Sequence, residues 1–240
     1  MVKKREHTFL DGTHKIYSYL IEPEHTNAAL PYFVTLHGAG ASSSEKFEAL
    51  NQLVAAHGFS IIGLDFLSHG KSSGSTQENS LALRNRHALM AINYWAPESA
   101  SLIICGSSMS GHTALRISKA LRGRVTKLCL LQPAVYAAEA ENVQFGPKFT
   151  KILRTDRSWE NSLALKNARS FTGDSAIFIG SEDAVIPKEV TKELANALKV
   201  NSSSFQLNLF NGVAHEIPTW LPTNEDAKER LIRFLLQSNK

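Results

Sequence analysis

One segment in the middle of the chain constrains the fold more than any other. The apolar run 102–105 is too short for a helix and is typical of a buried strand. It ends in a turn of glycine and serine, and a helix is predicted to follow over 113–122. A turn this tight forces one of its residues into a strained backbone conformation at the edge of the sheet. Gly106 and Gly111 provide the space where strand and helix pass close together.

The turn holds three serines, and one of them is the predicted nucleophile. The pattern Gly106-x-Ser108-x-Ser110 follows the Gly-x-Ser-x-Gly nucleophile elbow, except that serine replaces the second glycine. Serine is small enough to fit there. Ser108 lies at the apex and is the predicted nucleophile, whereas Ser107 is expected to point back toward the strand. Ser110 is expected in the first turn of the helix.

Strands and helices alternate along the rest of the chain. Apolar or alternating runs predict strands at 7–10, 15–21, 32–36, 59–66, 102–105, 125–131, 176–179 and 205–210. Helical spacing predicts helices at 47–57, 81–95, 113–122, 187–198 and 225–236. An α/β fold follows, with a mostly parallel central sheet and helices on both faces. Ligands of such sheets bind beyond the carboxyl ends of the strands.

Residues 137–172 interrupt this alternation. A connection of that length between two strands is rarely plain loop, so we predict a small, partly helical cap over the site. The 240 residues are otherwise expected to form a single domain. Two aromatic residues of the segment, Phe149 and Trp159, are predicted to line the substrate pocket.

Composition excludes several classes of protein. The formal net charge is +4, but Lys and Arg are scattered and not interleaved with aromatics, which argues against nucleic-acid binding. The sequence contains no apolar run of about 18 residues that could span a membrane, and no secretory signal. Cys105 and Cys129 both lie in apolar strands and are expected to be reduced. The prediction is a cytoplasmic protein, either a monomer or a homodimer.

A serine hydroxyl becomes nucleophilic when a base takes its proton, and a carboxylate must hold that base in the correct tautomer. His215 is the candidate base, because it lies between the last strand and the last helix. Asp183 follows the strand at 176–179 and is the candidate acid, with the adjacent Glu182 as the alternative. The order serine, acid, histidine is that of hydrolases with a nucleophile elbow.

Acyl transfer also requires hydrogen-bond donors for the oxyanion that forms on the substrate. One predicted donor is the backbone N–H of Met109, the residue after the nucleophile. The other is the N–H of Ala39, with Gly38 as the alternative, in the His-Gly-Ala-Gly turn that ends the strand at 32–36. The glycines of that turn allow its N–H groups to point inward.

Taken together, these motifs resemble the α/β-hydrolase superfamily. The resemblance rests on His37-Gly38-Ala39-Gly40, Asp65-x-x-x-His69-Gly70-x-Ser72, Gly106-x-Ser108-Met109-x-Gly111, Asp183 and His215. Within the superfamily the chain is similar to serine esterases of the monoacylglycerol-lipase-like and cinnamoyl-esterase-like types, which have a short cap. The resemblance implies hydrolysis through an acyl-enzyme, with no metal and no organic cofactor. The branches that use an aspartate nucleophile do not match.

The implied substrate is a small-molecule carboxylic ester, and the apolar residues of the cap favour a small to medium apolar or aromatic acyl group. Two alternatives use the same triad, namely a thioesterase and a hydrolase of carbon–carbon bonds. A third, of another class, is a ligand-binding protein without catalysis, since this fold also serves as a receptor. Such proteins commonly lack a triad member, whereas this sequence has all three.

Overall fold

An eight-stranded sheet forms the centre of the molecule, with helices against both faces. The computed structural model describes residues 2–25 and 29–237. The strands are β1 (Lys3–Asp11), β2 (His14–Glu22), β3 (Tyr32–Leu36), β4 (Ile61–Leu64), β5 (Leu102–Ser107), β6 (Val125–Leu131), β7 (Asp174–Gly180) and β8 (Phe205–Phe210). The α-helices are α1 (Glu48–Ala55), α2 (Leu81–Trp95), α3 (Ser110–Ala120), α4 (Pro147–Leu153), α5 (Leu163–Arg169), α6 (Lys188–Lys199), α7 (Ile217–Trp220) and α8 (Glu225–Leu236). The predicted α/β class is confirmed.

The strand order is β1-β2-β4-β3-β5-β6-β7-β8. β1 and β2, which correspond to the strands predicted at 7–10 and 15–21, form an antiparallel hairpin, and β2 runs antiparallel to β4. From β4 through β8 all neighbours are parallel, so each connection must cross over a face of the sheet. The carboxyl ends of these strands therefore share one edge, which we call the carboxyl edge; the opposite one is the amino edge.

In residues 2–25 and 29–237, no helix is long and apolar enough to cross a membrane.

The parallel strands β3 to β7 are buried on both faces, which explains their continuous apolar runs. On β8, the outermost strand, Leu207 and Leu209 are exposed. On β5, Leu102 and Ile104 pack into the cluster that includes α2, α3, α5 and α6. Ile103 and Cys105 face the other way, toward α1 and α8. Each fully buried aliphatic side chain of this kind stabilises the fold by roughly 1.5–3 kcal/mol.

Two predicted elements begin clearly earlier than expected, by four residues for β1 and by three for the helix after the elbow, while the other predicted boundaries differ by at most two residues. The helix of the elbow starts at Ser110 and not at 113, because the Gly111 N–H already donates to the Ser108 carbonyl, so no further loop is needed. β1 starts at Lys3 and not at 7, because the hairpin pairing continues to its far end, where Lys3 faces Glu22.

The two halves of the segment 137–172 pack against different parts of the molecule. Phe149, on α4, belongs to a small apolar cluster with Leu81 and Met109. α5 instead buries Leu165 and Ala168 in the main core, against the helices that cover the sheet. The second half is therefore part of the helix layer, and only the first half lies beside Met109. A cap over the site remains a prediction for that first half.

Candidate active site

The turn between β5 and α3 holds Ser108 in an unusual backbone conformation. Its φ is +52°, in the left-handed region that costs a residue with a side chain about 1–3 kcal/mol. Three hydrogen bonds of 2.9 Å keep it there. The Ser108 N–H donates to the Leu131 carbonyl, and the Ser108 carbonyl accepts from the N–H groups of Gly111 and Ala134. These hydrogen bonds to the neighbouring strand, helix and loop hold Ser108 in its strained conformation.

The glycines on either side of this turn are required by close packing. A Cβ at Gly106 would overlap the Ser110 carbonyl, and a Cβ at Gly111 would overlap Pro133. Both neighbours are backbone or ring atoms that cannot move aside. The predicted need for small residues therefore has a direct steric cause.

The Ser108 hydroxyl lies at one end of a chain of hydrogen bonds. His215 Nε2 is 3.0 Å from Ser108 Oγ, and His215 Nδ1 is 2.8 Å from Asp183 Oδ2. Because an ionised carboxylate only accepts hydrogen bonds, Nδ1 carries the imidazole proton and Nε2 can accept one from the serine. This is the geometry of a serine, a base and an orienting acid.

Asp183, and not Glu182, is the carboxylate at His215. Its second oxygen, Oδ1, accepts from the N–H groups of Val185 at 2.8 Å and Ile186 at 3.1 Å, which fixes the carboxylate plane. Glu182 is exposed and accepts a hydrogen bond from the neighbouring Ser181 hydroxyl at 3.3 Å. The turn after β7 thus directs the two adjacent acids to different places.

A buried amide that the sequence analysis missed holds the histidine loop on both sides. Gln132, at the end of β6, donates from Nε2 to the Ala214 carbonyl at 2.5 Å and accepts from the Ile217 N–H at 3.1 Å. Its φ is +46°, so this residue is strained as well. Its position directly after a parallel strand was the only sequence signal, because its partners are 82 and 85 residues away.

The other two serines of the elbow have different surroundings. Ser107 is the last residue of β5 and lies at the wall of the cleft. Ser110 is fully buried, donates to the His37 carbonyl at 2.6 Å and accepts from Arg84 Nη2 at 2.8 Å. Of the three, Ser108 is the one beside His215.

The turn after β3 approaches Ser108 closely. A Cβ placed on Gly38 would lie 3.2 Å from Ser108 Cβ and 3.7 Å from its Oγ. Within the described part of the chain, the N–H groups of Gly38, Ala39 and Met109 donate to no protein acceptor. They are available to an oxyanion, and the alternative between Ala39 and Gly38 remains open.

His37 secures this turn from inside the protein. Its Nε2 accepts from the Phe66 N–H at 3.0 Å, so Nδ1 carries the proton and donates to the Gly38 carbonyl at 2.8 Å. Burial lowers the pKa of His37 well below its usual value of 6.5, and the ring is neutral at physiological pH. It serves as a hydrogen-bonding strut and is not a second base.

A small cleft of about 80 Å³ runs beside Ser108. It is lined by Gly38, Ala39, Ser42, Lys46, Phe47, Ser107, Ser108, His215, Glu216, Pro218 and Thr219. Phe149 does not line it, because this ring is buried in the cluster with Met109. Trp159 packs against the main core instead. The sequence could not separate pocket from core for these two rings, since both environments select aromatic side chains.

A resident metal ion would need a cluster of suitable ligands. The structure brings together no group of three or more His, Cys, Asp or Glu side chains that could hold one, within 2–25 and 29–237.

Comparisons with known proteins identify the family and the fold. A family model described as "Serine aminopeptidase, S33" (Hydrolase_4) matches residues 29–163. Est1E from Butyrivibrio proteoclasticus, solved with ferulic acid, superposes with a TM-score of 0.73 at 18% identity, covering 96% of this chain and all of that chain (100%). A putative hydrolase from Agrobacterium vitis S4 gives a TM-score of 0.70 at 20% identity, covering 99% of this chain and 100% of the other.

A third structure, the thioesterase domain from the curacin biosynthetic pathway, gives a TM-score of 0.69 at 15% identity, covering 98% of this chain and 100% of that domain. At these identities the structural similarity shows a shared fold. No curated protein sequence matches the chain. Because the family model spans more than half of the residues and the fold agrees along the whole length, the chain belongs to the serine aminopeptidase S33 family of α/β-hydrolases.

Proposed function

We propose that the protein is a serine hydrolase that cleaves carboxylic esters through an acyl-enzyme. The observation that carries the proposal is the hydrogen-bonded series Ser108, His215, Asp183, which lies beside unpaired N–H groups at the carboxyl edge. The family assignment supports hydrolysis as the reaction class. The three side chains come from separate loops, and a purely structural role does not require them to converge.

In the acylation step, Ser108 Oγ attacks the ester carbonyl carbon and transfers its proton to His215 Nε2. Asp183 stabilises the imidazolium that forms. The N–H groups of Met109 and Ala39 donate to the oxyanion of the tetrahedral intermediate. When the intermediate collapses, the carbon–oxygen bond to the leaving group breaks, and His215 gives its proton to the departing alcohol.

Deacylation repeats these steps with water. His215 takes a proton from the water as its oxygen attacks the acyl carbon, and the second tetrahedral intermediate uses the same donors. Collapse breaks the bond to Ser108 Oγ, which recovers its proton from His215. The products are a carboxylic acid and the free enzyme, and no group is oxidised or reduced.

The cleft supports a small to medium acyl group, apolar or aromatic. Its volume of about 80 Å³ suits a short group, and Phe47 and Pro218 provide apolar walls. Est1E, which is similar in fold, was solved with ferulic acid, so aromatic esters belong among the first substrates to test.

A fluorophosphonate probe tests the nucleophile directly. We expect a single adduct on Ser108 by peptide mass spectrometry, none in Ser108→Ala, and labelling slowed at least a hundredfold in His215→Ala. The matched control is Ser107→Ala, which should label at the wild-type rate. An adduct on another serine would overturn the assignment, and no adduct on folded wild-type protein would favour the ligand-binding alternative.

A substrate panel separates the reactions that share this triad. Matched oxyesters, thioesters and β-diketones with the same acyl group should show the highest kcat/KM for the oxyester. A thioester preferred by tenfold or more would replace the esterase proposal with a thioesterase, and β-diketone cleavage alone would indicate a carbon–carbon hydrolase.

A further inference from the structure

Arg84, on α2, is a fully buried cation without an acidic partner. Its side chain has no exposed surface, and the guanidinium carbon lies 3.7 Å from the centre of the Phe66 ring. No carboxylate of the described residues forms an ion pair with it, and its Nε and Nη1 atoms have no hydrogen-bond partner. Burying an unpaired charge is costly, so a residue of this kind calls for an explanation other than stability.

Within the described residues, all side-chain hydrogen bonds of Arg84 come from a single nitrogen, Nη2. This atom lies 2.6 Å from the His37 carbonyl oxygen, 2.8 Å from Ser110 Oγ and 3.2 Å from the Gly38 carbonyl oxygen. The charge is thus directed at the backbone of the turn that packs against Ser108.

The chemistry of the peptide group links these carbonyls to the predicted oxyanion donors. The His37 carbonyl belongs to the same peptide as the Gly38 N–H, and the Gly38 carbonyl to the same peptide as the Ala39 N–H. The described residues contain no cis peptide, so in each unit the N–H points away from the carbonyl. With the carbonyls directed at Arg84, the N–H groups point away from it.

Each of the two carbonyls also accepts from a second donor. The Ser110 hydroxyl donates to the His37 carbonyl at 2.6 Å, and His37 Nδ1 donates to the Gly38 carbonyl at 2.8 Å. Hydrogen bonds to a carbonyl polarise the whole peptide and make its N–H a stronger donor. Both alternatives for the second oxyanion donor are therefore supported in the same way.

We propose that Arg84 is a positioning residue for ester hydrolysis: its buried charge polarises the peptides 37–38 and 38–39 and orients their N–H groups toward the oxyanion. The inference rests on the proposed function. Negative charge on the substrate oxygen develops only in the tetrahedral intermediate, so Arg84 acts on the rate of the chemical step and not on ester binding.

The guanidinium is charged when the enzyme works. Burial lowers the pKa of Arg84 to about 9, which leaves it protonated at pH 7. The adjacent ring of His37 is neutral, as described above, so the local charge is that of Arg84.

Two substitutions of Arg84 distinguish the effect of its charge from the effect of its hydrogen bonds on the turn at 37–39. Arg84→Gln keeps a hydrogen-bond donor but removes the charge, whereas Arg84→Lys keeps the charge. We expect Arg84→Gln to lower kcat about tenfold or more with KM within about twofold of wild type, and Arg84→Lys to recover part of the loss. A clamp that only supports the turn predicts similar kcat values for Arg84→Gln and Arg84→Lys, because both side chains donate hydrogen bonds.

The second readout is the affinity for a trifluoromethyl ketone analogue of the ester, whose adduct with a serine carries the oxyanion. We expect Arg84→Gln to raise its Ki about tenfold while Arg86→Met leaves kcat, KM and Ki unchanged. Arg86 is the matched control because it lies on the same helix, is exposed and pairs with Asp11. Unchanged kcat and Ki in folded Arg84→Gln would overturn the inference.

If Arg84→Gln does not fold, Ser110→Ala decides the question, since it removes the second donor from the His37 carbonyl. A several-fold loss of kcat with KM unchanged is expected, and no loss would overturn the inference. Failure of the proposed function is recognised separately, by absent wild-type turnover or by full activity in Ser108→Ala.

Discussion

The two edges of the sheet each bury a cation, but only one of the two is neutralised. At the amino edge, Lys127 Nζ donates to Asp174 Oδ2 at 2.9 Å and to the Gln237 carbonyl at 2.6 Å. Near the carboxyl edge, the described residues that accept hydrogen bonds from the Arg84 side chain are all neutral. Both side chains are almost completely enclosed, so burial does not explain the difference.

The same contrast extends to the backbone. The loops at the carboxyl edge hold residues with strained backbone, among them Ser108 and Gln132, and N–H groups beside Ser108 that donate to no acceptor within the described residues. At the amino edge, both carboxylate oxygens of Asp174 accept hydrogen bonds. Oδ2 accepts from Lys127, and Oδ1 accepts from the Ser204 hydroxyl at 2.8 Å. Strain and uncompensated charge thus concentrate where chemistry is proposed, and the compensated pair serves stability.

The largest effect on stability is expected at the amino edge. Lys127→Met leaves Asp174 buried without its cation and should lower the free energy of unfolding by about 3–5 kcal/mol, measured by urea denaturation. Activity below the unfolding transition should stay within about twofold of wild type. The double variant Lys127→Met, Asp174→Asn should recover part of the stability. A kcat that fell in parallel with stability would break the contrast between the edges.

At the carboxyl edge, Gln132→Ala should mainly reduce activity. Without the amide, the loop that carries His215 loses a bond on each side, so kcat should fall about tenfold, with about 1–3 kcal/mol lost from the free energy of unfolding. Steady-state kinetics and urea denaturation measure the two effects. The control is Gln206→Ala, an amide on β8 that bonds Gln237 and should leave kcat unchanged. Equal kcat in both variants would contradict the positioning of His215 by Gln132.

The smallest effect concerns pH and the turn after β3. Because burial holds the pKa of His37 well below 6.5, the unfolded chain binds a proton that the folded protein does not. The contribution of His37 to the free energy of unfolding is therefore fully present above about pH 6.5. It decreases as the pH falls below that value, by up to about 1.4 kcal/mol per pH unit for this one group. Urea titrations from pH 7.5 to 5 measure the slope.

In the variant His37→Gln, the amide can both accept and donate hydrogen bonds in place of the ring but does not titrate. The slope of stability against pH should therefore decrease by up to about 1.4 kcal/mol per pH unit, which corresponds to one proton. His57→Gln, at an exposed position, is the control and should leave it unchanged. An unchanged slope in His37→Gln would mean that acid destabilisation arises elsewhere.

Within the site, sequence reasoning reached the residues that lie in local motifs and missed those supported from a distance. The elbow is a local feature, so Ser108 could be chosen from its neighbours. Asp183 and Glu182 are adjacent, and the sequence left both open because the turn after β7 decides which carboxylate turns toward His215. Gln132 and Arg84 had no motif, since the backbone carbonyls to which they donate lie at least 46 positions away.

The sequence by itself determined the class of fold. Continuous apolar runs, separated by segments with helical spacing, leave few arrangements other than a parallel sheet between helix layers. Such a sheet brings the loops that follow its strands to one edge. Tertiary structure alone decided which side of that sheet each helix covers, that α5 joins the main core, and that a guanidinium is enclosed behind the turn at 37–39. The physical reason is range: hydrophobic periodicity is written into neighbouring residues, whereas the pairing of buried polar groups depends on atoms that meet only after the chain has folded.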